Sequence, residues 1–295
     1  MQFEQYRARV AAIGRVVNPE ALVATRNLVT PLLDPAVAND VRIVRDVRYG
    51  PHERHRLDVF TRAQAGSERR PLLVFVHGGG FVAGDKHTEG SPFYSNIGRW
   101  AVTNGFDAAT VTYRLAPEHQ WPSGIEDLRL AIDYLQASGA NHGLDASRLF
   151  LMGQSAGAAH VASYVAHAAI YAPKPHGLAG VILLSGIYDF LAMPPSPMEP
   201  AYLGADRSVY AARSSLPGLA RSEVPMLVTL AEFDPPQFEH QTLALLQAVQ
   251  QGRGQMPRFV HAVGQNHLSV ALFLGLPGDV VAPQLKAFID EYGAS

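Results

Sequence analysis

The sequence predicts an α/β fold with a mostly parallel central sheet, helices on both faces and a small cap. Three observations carry that expectation. From residue 71 onward, short apolar runs alternate with helical stretches, and such alternation builds parallel sheets covered on both sides. Ahead of them, "VRIVRDVRY" (41–49) and "RHRLDVF" (54–60) alternate polar and apolar residues, as a half-exposed antiparallel pair does. Finally, 295 residues of which 47% are hydrophobic and 17% charged can bury a sizeable core. Size alone allows one large domain or two smaller ones. With no repeat and no low-complexity linker, a single domain over 1–295 is expected.

Taken in order, residues 3–33 read as one or two helices, broken at "NPE" near Pro19 and stopped by Pro31 and Pro35. "PLLVFVH" (71–77) is continuously apolar and reads as a fully buried strand. Strand "DAATVTYR" (107–114) precedes helix "PSGIEDLRLAIDYLQAS" (122–138). A strand at 148–153 precedes a helix at 156–171, and "GLAGVILLSG" (177–186) follows. "VPMLVTLAEFD" (224–234) leads into helix "PQFEHQTLALLQAVQQ" (236–251). "PRFVHAVG" (257–264) and helix "VVAPQLKAFIDEY" (280–292) close the chain. Residues 187–222 are rich in proline and serine and have no clear period. They read as an insertion over the carboxyl edge of the sheet, where ligands bind in such folds.

Composition narrows the function. A formal net charge of -2 gives no reason to expect nucleic acid or an anionic membrane surface as a partner. The chain has no cysteine, which excludes disulfides, thiolate catalysis and zinc–thiolate sites. "MQFEQYRARVAAIG" carries Glu4 and lacks a continuous apolar core, unlike a signal peptide, and no apolar run reaches membrane-spanning length. A soluble, cytoplasmic protein is the default expectation, although a cysteine-free chain is also compatible with export. His52 with His55, and His160 with His167, read as packed or solvated histidines rather than metal ligands. Trp100 and Trp121 read as packing or pocket-lining residues. Arg42, Arg45 and Arg48 read as the wet face of an outer strand.

The stretch "FLMGQSAGAAH" (150–160) sets Ser155 between Gly153 and Gly157, where a strand gives way to a helix. Glycines let the backbone turn sharply and pass closely, leaving the hydroxyl exposed beside the amides of a helix N-terminus. A serine N-cap is the plain alternative, but a cap does not explain flanking glycines at two-residue spacing. A nucleophilic serine needs a base, and the base needs an orienting partner. Asp234 follows the strand "PMLVTLAEF", and His267 lies in "GQNHLS" after the last strand, in the order expected for a nucleophile elbow. Glu232 and Asp189 are rival acids. "HGGGF" (77–81) follows the buried strand directly. Converging backbone N–H groups there would stabilise the charge of a tetrahedral intermediate, with the Ala156 amide as a further donor. No Gly-Lys-Ser/Thr follows, which argues against a phosphate loop.

"HGGGF", "YRLAPEH" (113–119) and "GQSAG" together resemble the α/β-hydrolase fold and, within it, the hormone-sensitive-lipase-like family of carboxylesterases. The resemblance runs from about residue 41 to the C-terminus. It implies Ser155 as nucleophile, Asp234 as acid, His267 as base, and Gly79, Gly80 and Ala156 as oxyanion donors. It also implies that His77 holds the glycine loop, with Arg114 and Glu118 as supports. Two features depart from the family. Gln154 stands where an acidic residue is common, and the insertion, with "NHLS", is closer to a kynurenine-formamidase-like branch. The expected function is therefore hydrolysis of short- to medium-chain carboxylic esters through an acyl-serine, without cofactor or metal. An arylformamidase using the same triad is the alternative. A non-enzymatic hydrolase-fold receptor would be expected to lack a triad member, and none is missing. A small-molecule ester is the expected partner, and a homodimer is compatible with the sequence. Residues 1–40, with Phe3, Tyr6, Val10 and Ile13 in a stripe, and 187–222, with Phe190, Leu191, Met193 and Met198, are expected to form the cap.

Overall fold

The computed structural model describes residues 1–33, 40–64, 68–167 and 177–293. Eight strands form one sheet: β1 (Val41–Arg48), β2 (Arg56–Arg62), β3 (Leu72–Val76), β4 (Asp107–Val111), β5 (Leu149–Gln154), β6 (Leu178–Leu184), β7 (Met226–Phe233) and β8 (Arg258–Asn266). Their order is β1-β2-β4-β3-β5-β6-β7-β8. β1 and β2 pair antiparallel, as do β2 and β4, and every pairing from β4 to β8 is parallel.

The continuous apolar runs are buried on both faces because successive side chains of a strand point to opposite sides. Leu72, Val74 and Val76 of β3 pack with Leu149 and Leu151 of β5 under helices α4 (Ser123–Ser138) and α5 (Ala156–Ala166). Leu73 and Phe75 pack with Phe150 and Met152 on the other face, against α3 (Ser95–Thr103) and the helix Ala282–Gly293. The predicted 156–171 helix is observed to Ala166, and its last four residues lie outside the described ones.

At the N-terminus two helices form, α1 (Phe3–Ile13) and α2 (Pro19–Val29). Asn18 caps the second, accepting from the Ala21 amide at 2.7 Å, and Pro19 occupies a first-turn position where its missing N–H costs nothing. Tyr6 and Val10 of the apolar stripe are buried, in a cluster with Leu28, Phe93, Leu272 and Phe273. The insertion forms three short helices, Met198–Leu203, Tyr210–Arg213 and Leu216–Arg221. Phe190, Met193, Tyr202 and Leu203 pack there on Phe81, Ala156 and Phe238. Leu191 and Met198 remain exposed.

One expectation for β1 is corrected. Arg42 and Arg48 face solvent, but Arg45 does not belong to that row. A bulge between Val44 and Val47, with Asp46 at φ 57°, breaks the alternation. The Arg45 guanidinium instead bonds the fully buried Asp58 at 2.5 Å and Ser95 Oγ at 2.8 Å. Lys86 joins them, 2.8 Å from Asp46 and 2.9 Å from Asp58.

Candidate active site

Ser155 sits between the last residue of β5 and the first of α5, at φ 55°, ψ -119°. A non-glycine residue in that region carries about 1–3 kcal/mol of strain, which the surroundings must hold. Here the Ser155 amide donates to the Leu184 carbonyl of β6 at 2.9 Å, and its carbonyl accepts from Ala159 at 3.0 Å. The side chain makes no capping hydrogen bond, so the N-cap reading falls. Gly157 is required by close approach: a Cβ there would strike the Val76 and His77 carbonyls at the end of β3.

The glycine loop follows β3 directly. Gly79, Gly80 and Phe81 all have positive φ, 129°, 60° and 71°. Phe81 turns inward and stacks on Tyr202 of the insertion at 4.5 Å. His77 fills the inside of the loop, its Nδ1 bonding the Gly78 carbonyl at 2.6 Å and its ring stacked 4.4 Å from Tyr113. Burial pushes its pKa down to about 4, so the ring is neutral at neutral pH. A Cβ on Gly78 would lie 3.3 Å from Ser155 Cβ, which places loop and serine side by side. The Val82 and Ala83 amides both turn back to the Gly79 carbonyl. Among the described residues, the amides of Gly79, Gly80 and Ala156 have no acceptor within the chain. That leaves three unengaged donors in the two segments that flank the half-buried Ser155.

Asp234 and His267 come from adjacent strand ends. His267 Nδ1 and Asp234 Oδ1 are 2.7 Å apart. The other carboxylate oxygen accepts from Ser185 Oγ at 2.6 Å and the Ala231 amide at 2.7 Å. A fully buried carboxylate is tolerated only with such partners. The His267 ring lies 4.0 Å from that of Phe238, and its Nε2 is buried with no partner among the described residues. A ring oriented through one nitrogen, with the other unengaged, is arranged to exchange a proton there. No hydrogen bond joins Ser155 to His267. Their segments are tied by Gln154, whose Nε2 donates to the His267 carbonyl at 2.8 Å.

The rival acids are occupied elsewhere. Glu232 bonds Arg7 and the Gly264 amide, and Asp189 accepts from the Leu191 amide at 3.0 Å. Arg114 bonds Asp127 and Glu126, whereas Glu118 is exposed and takes no part in this network. Its implied supporting role is not seen. His55 is buried against Asp127 at 3.0 Å. His160 is buried among Tyr113, Phe81 and Tyr202, and burial pushes its pKa down to about 3. Sequence reasoning missed Ser185, the Gln154 bond and Arg15. Each acts through one or two long-range hydrogen bonds that leave no periodic trace. A separate cavity of about 620 Å³ is lined by Leu32, Arg45, Trp100 and Leu276, and by none of Ser155, Asp234 and His267. Among the described residues no helix is long and apolar enough to cross a membrane.

A parallel sheet entered by an antiparallel strand pair, a strained serine between strand and helix, and an acid and histidine on later strand ends define an α/β-hydrolase fold. Residues 57–206 match the BD-FAE family, and the chain belongs to it. It is similar to esterase LipC of Mycobacterium tuberculosis (strain ATCC 25618 / H37Rv), 32% identical over 153 residues, covering 50% of this chain and 36% of LipC. Probable carboxylesterase 1 of Arabidopsis thaliana is 36% identical over 143 residues, covering 44% and 43%. The chain thus spans less than half the length of these relatives. In three dimensions it resembles esterase B from Lactobacillus rhamnosis (HN001), with a TM-score of 0.76 at 17% identity, covering 99% of this chain and 96% of that one. A Pyrobaculum calidifontis esterase gives a TM-score of 0.69 at 22% identity, covering 100% and 95%.

Proposed function

We propose that this chain is a carboxylesterase-type serine hydrolase that cleaves esters of short to medium acyl chains. The observation that carries the reading is the Asp234–His267 pair, with Nε2 unengaged, on the sheet edge where Ser155 stands at a strained elbow. In this mechanism His267 takes the Ser155 proton as the oxygen attacks the ester carbonyl. The developing oxyanion lies toward the Gly79, Gly80 and Ala156 amides. His267 then protonates the leaving alcohol and afterwards activates water to release the acyl group. Asp234 holds the ring in the productive tautomer and faces the imidazolium that forms. One oxyanion donor of this kind contributes about 10²–10³ in turnover. No step draws on a cofactor or metal.

The named activities of the relatives, esterase and carboxylesterase, agree with this reading, as does a neighbouring structure of esterase B inhibited by a C4–C4 tributyrin phosphonate. Residues 1–40, of which 34–39 lie outside the described residues, and the 187–222 insertion act as cap elements of a single domain. The test is a panel of p-nitrophenyl esters from acetate to palmitate with N-formylkynurenine beside them, run on wild type and Ser155→Ala. Ester turnover should vanish in the variant, and phenylmethylsulfonyl fluoride should label Ser155 stoichiometrically in wild type. Turnover surviving in Ser155→Ala removes the mechanism. Preferential cleavage of the formamide moves the protein to the arylformamidase reading.

A further inference from the structure

The acid and base are gripped from outside the sheet by the two N-terminal helices. Tyr6 Oη donates to Gln265 Oε1 at 3.0 Å, and the Tyr6 ring stacks on Phe273 at 4.1 Å. Asn266, next to His267, donates through Nδ2 to Thr25 Oγ1 of α2 at 3.0 Å. Arg7 bonds Glu232 near the end of β7. After α1 the chain turns at Gly14, φ 88°, and Arg15 Nε donates to the backbone carbonyl of Asp234 at 2.7 Å. A second Arg15 nitrogen pairs with Glu239 on the following helix.

The bond from Arg15 adds to the Ser185 and Ala231 bonds on the Asp234 carboxylate and is the one made to the residue's own carbonyl. Asp234 is followed by Pro235 and Pro236, and neither brings an N–H to the turn. The Asp234 amide donates to Ala231 at 3.1 Å, which fixes one side of the residue. The carbonyl on the other side is met by Arg15. The orientation of that peptide sets the direction in which the Asp234 side chain leaves the backbone, and so the line along which its carboxylate meets His267 Nδ1. Thr25 does the same for the base, through Asn266, whose Oδ1 also accepts from the Leu268 and Ser269 amides at 3.1 and 2.8 Å.

We propose that Arg15 is a positioning residue for the acid–base pair, and that α1 and α2 clamp Asp234 and His267 in register as well as covering the site. The proposal rests on the triad reading above. Arg15 acts through Asp234 and touches no reacting atom. Its removal therefore lowers the rate of the proton-transfer steps while leaving ester binding almost intact. Misplacing a catalytic group by about 1 Å costs up to about 10²-fold.

The test uses the full chain with four variants: Arg15→Ala, Arg15→Lys, Thr25→Val, and Arg70→Ala as a control that costs stability outside the clamp, where Arg70 bonds Asp107 and the Val102 carbonyl. The readouts are kcat and KM on p-nitrophenyl butyrate, the rate of phenylmethylsulfonyl fluoride inactivation, Tm, and the downfield proton resonance of the imidazole–carboxylate bond. Arg15→Ala should lower kcat about 10- to 100-fold with KM within about threefold, a split that marks a transition-state effect. Inactivation should slow in parallel, and the downfield resonance should broaden or shift. Arg15→Lys should recover part of the rate, and Thr25→Val should show a smaller loss of the same kind. Arg70→Ala should lower Tm with kcat within about twofold of wild type. Unchanged kcat and resonance in Arg15→Ala, or an equal kcat loss in Arg70→Ala, overturns the proposal. Should Arg15→Ala fail to fold, Arg15→Lys and Thr25→Val carry the same test. Labelling of a residue other than Ser155 in wild type overturns the triad reading instead, and the resonance still reports whether Arg15 sets the Asp234–His267 bond.

Discussion

Gln154 donates its side-chain amide to the backbone carbonyl of His267 across 2.8 Å, linking the residue before the serine to the histidine loop 113 positions later. The bond is buried, so its loss leaves an orphaned carbonyl at a cost of about 1–3 kcal/mol. It also fixes the chemistry that position can hold. An amide can donate to a carbonyl, whereas an ionised carboxylate in the same place would set two acceptors against each other. Gln154→Glu should therefore lower kcat about tenfold near neutral pH, the rate equivalent of about 1.4 kcal/mol. The loss should shrink as the pH falls and the carboxyl becomes a donor. A variant with full activity at pH 8 would show that the bond does not hold the loop.

The occupied rivals give a second prediction. Asp234→Asn should favour the wrong histidine tautomer and lower kcat by a large factor, about 10⁴ where such a change has been measured in another triad. Glu232→Gln and Asp189→Asn should cost far less, because Glu232 serves Arg7 and Gly264 and Asp189 serves the Leu191 turn. Steady-state kinetics on the three purified variants decides the matter, and a larger loss at either rival would reassign the acid.

The frame of the molecule was legible because its strands read in the sequence as either continuously apolar or alternating. β3 and β5 divide their residues between two cores, as a run with no polar face must. The elbow was legible for a different reason: flanking glycines betray backbones that pass too closely for a Cβ. The Asp234–His267 meeting could be anticipated from strand ends, since parallel strands deliver their following residues to one edge. What sequence did not reveal depends on departures from period. A single bulge takes Arg45 off the wet face and sends it to Asp58. Thr25, Gln154 and Ser185 each reach a partner far along the chain through one side-chain bond and Arg15 through two, and no local pattern announces such bonds.

Asp127 supports a stability prediction with a defined pH dependence. Burial pushes its pKa up, but hydrogen bonds from His55 and the Arg114 amide, with the Arg114 charge, more than offset this and hold it below its ordinary value. A carboxyl depressed in the folded state contributes stability that is complete above its unfolded pKa, about 3.9, and is lost as pH falls through the lower folded value. Asp127→Asn leaves His55 without an anionic partner and Arg114 with Glu126 alone, so it should cost about 3 kcal/mol at pH 7, the lower end for a broken buried pair because Arg114 is partly exposed. The gap to wild type in urea melts should narrow below about pH 4 as the wild-type carboxyl takes its proton. A gap constant from pH 7 to pH 3 would refute this assignment.

The last prediction concerns acyl length, and it turns on Met198. Its thioether occupies the space into which a Cβ on Gly80 would project, so the insertion rests directly on the loop proposed to bind the oxyanion. Phe190, Met193, Tyr202 and Phe238 pack beside it in one buried cluster with Phe81 and Ala156, while Met198 itself is 38% exposed. In the proposed mechanism an acyl chain attached to Ser155 leaves past this cluster, and Met198 is the exposed side chain of the insertion that rests on the Gly80 loop. Wild type should therefore peak between acetate and hexanoate in kcat/KM. Met198→Ala should raise the ratio of octanoate to butyrate cleavage about tenfold, the scale on which one or two methylenes are distinguished by an apolar wall. Gly80→Ala should have the opposite character, losing rate on every ester, because its methyl meets Met198 and disturbs the loop itself. Chain-length profiles of the three proteins test both statements together. If intact wild type cleaves palmitate as well as butyrate, or if Met198→Ala leaves the profile unmoved, the insertion does not set acyl length.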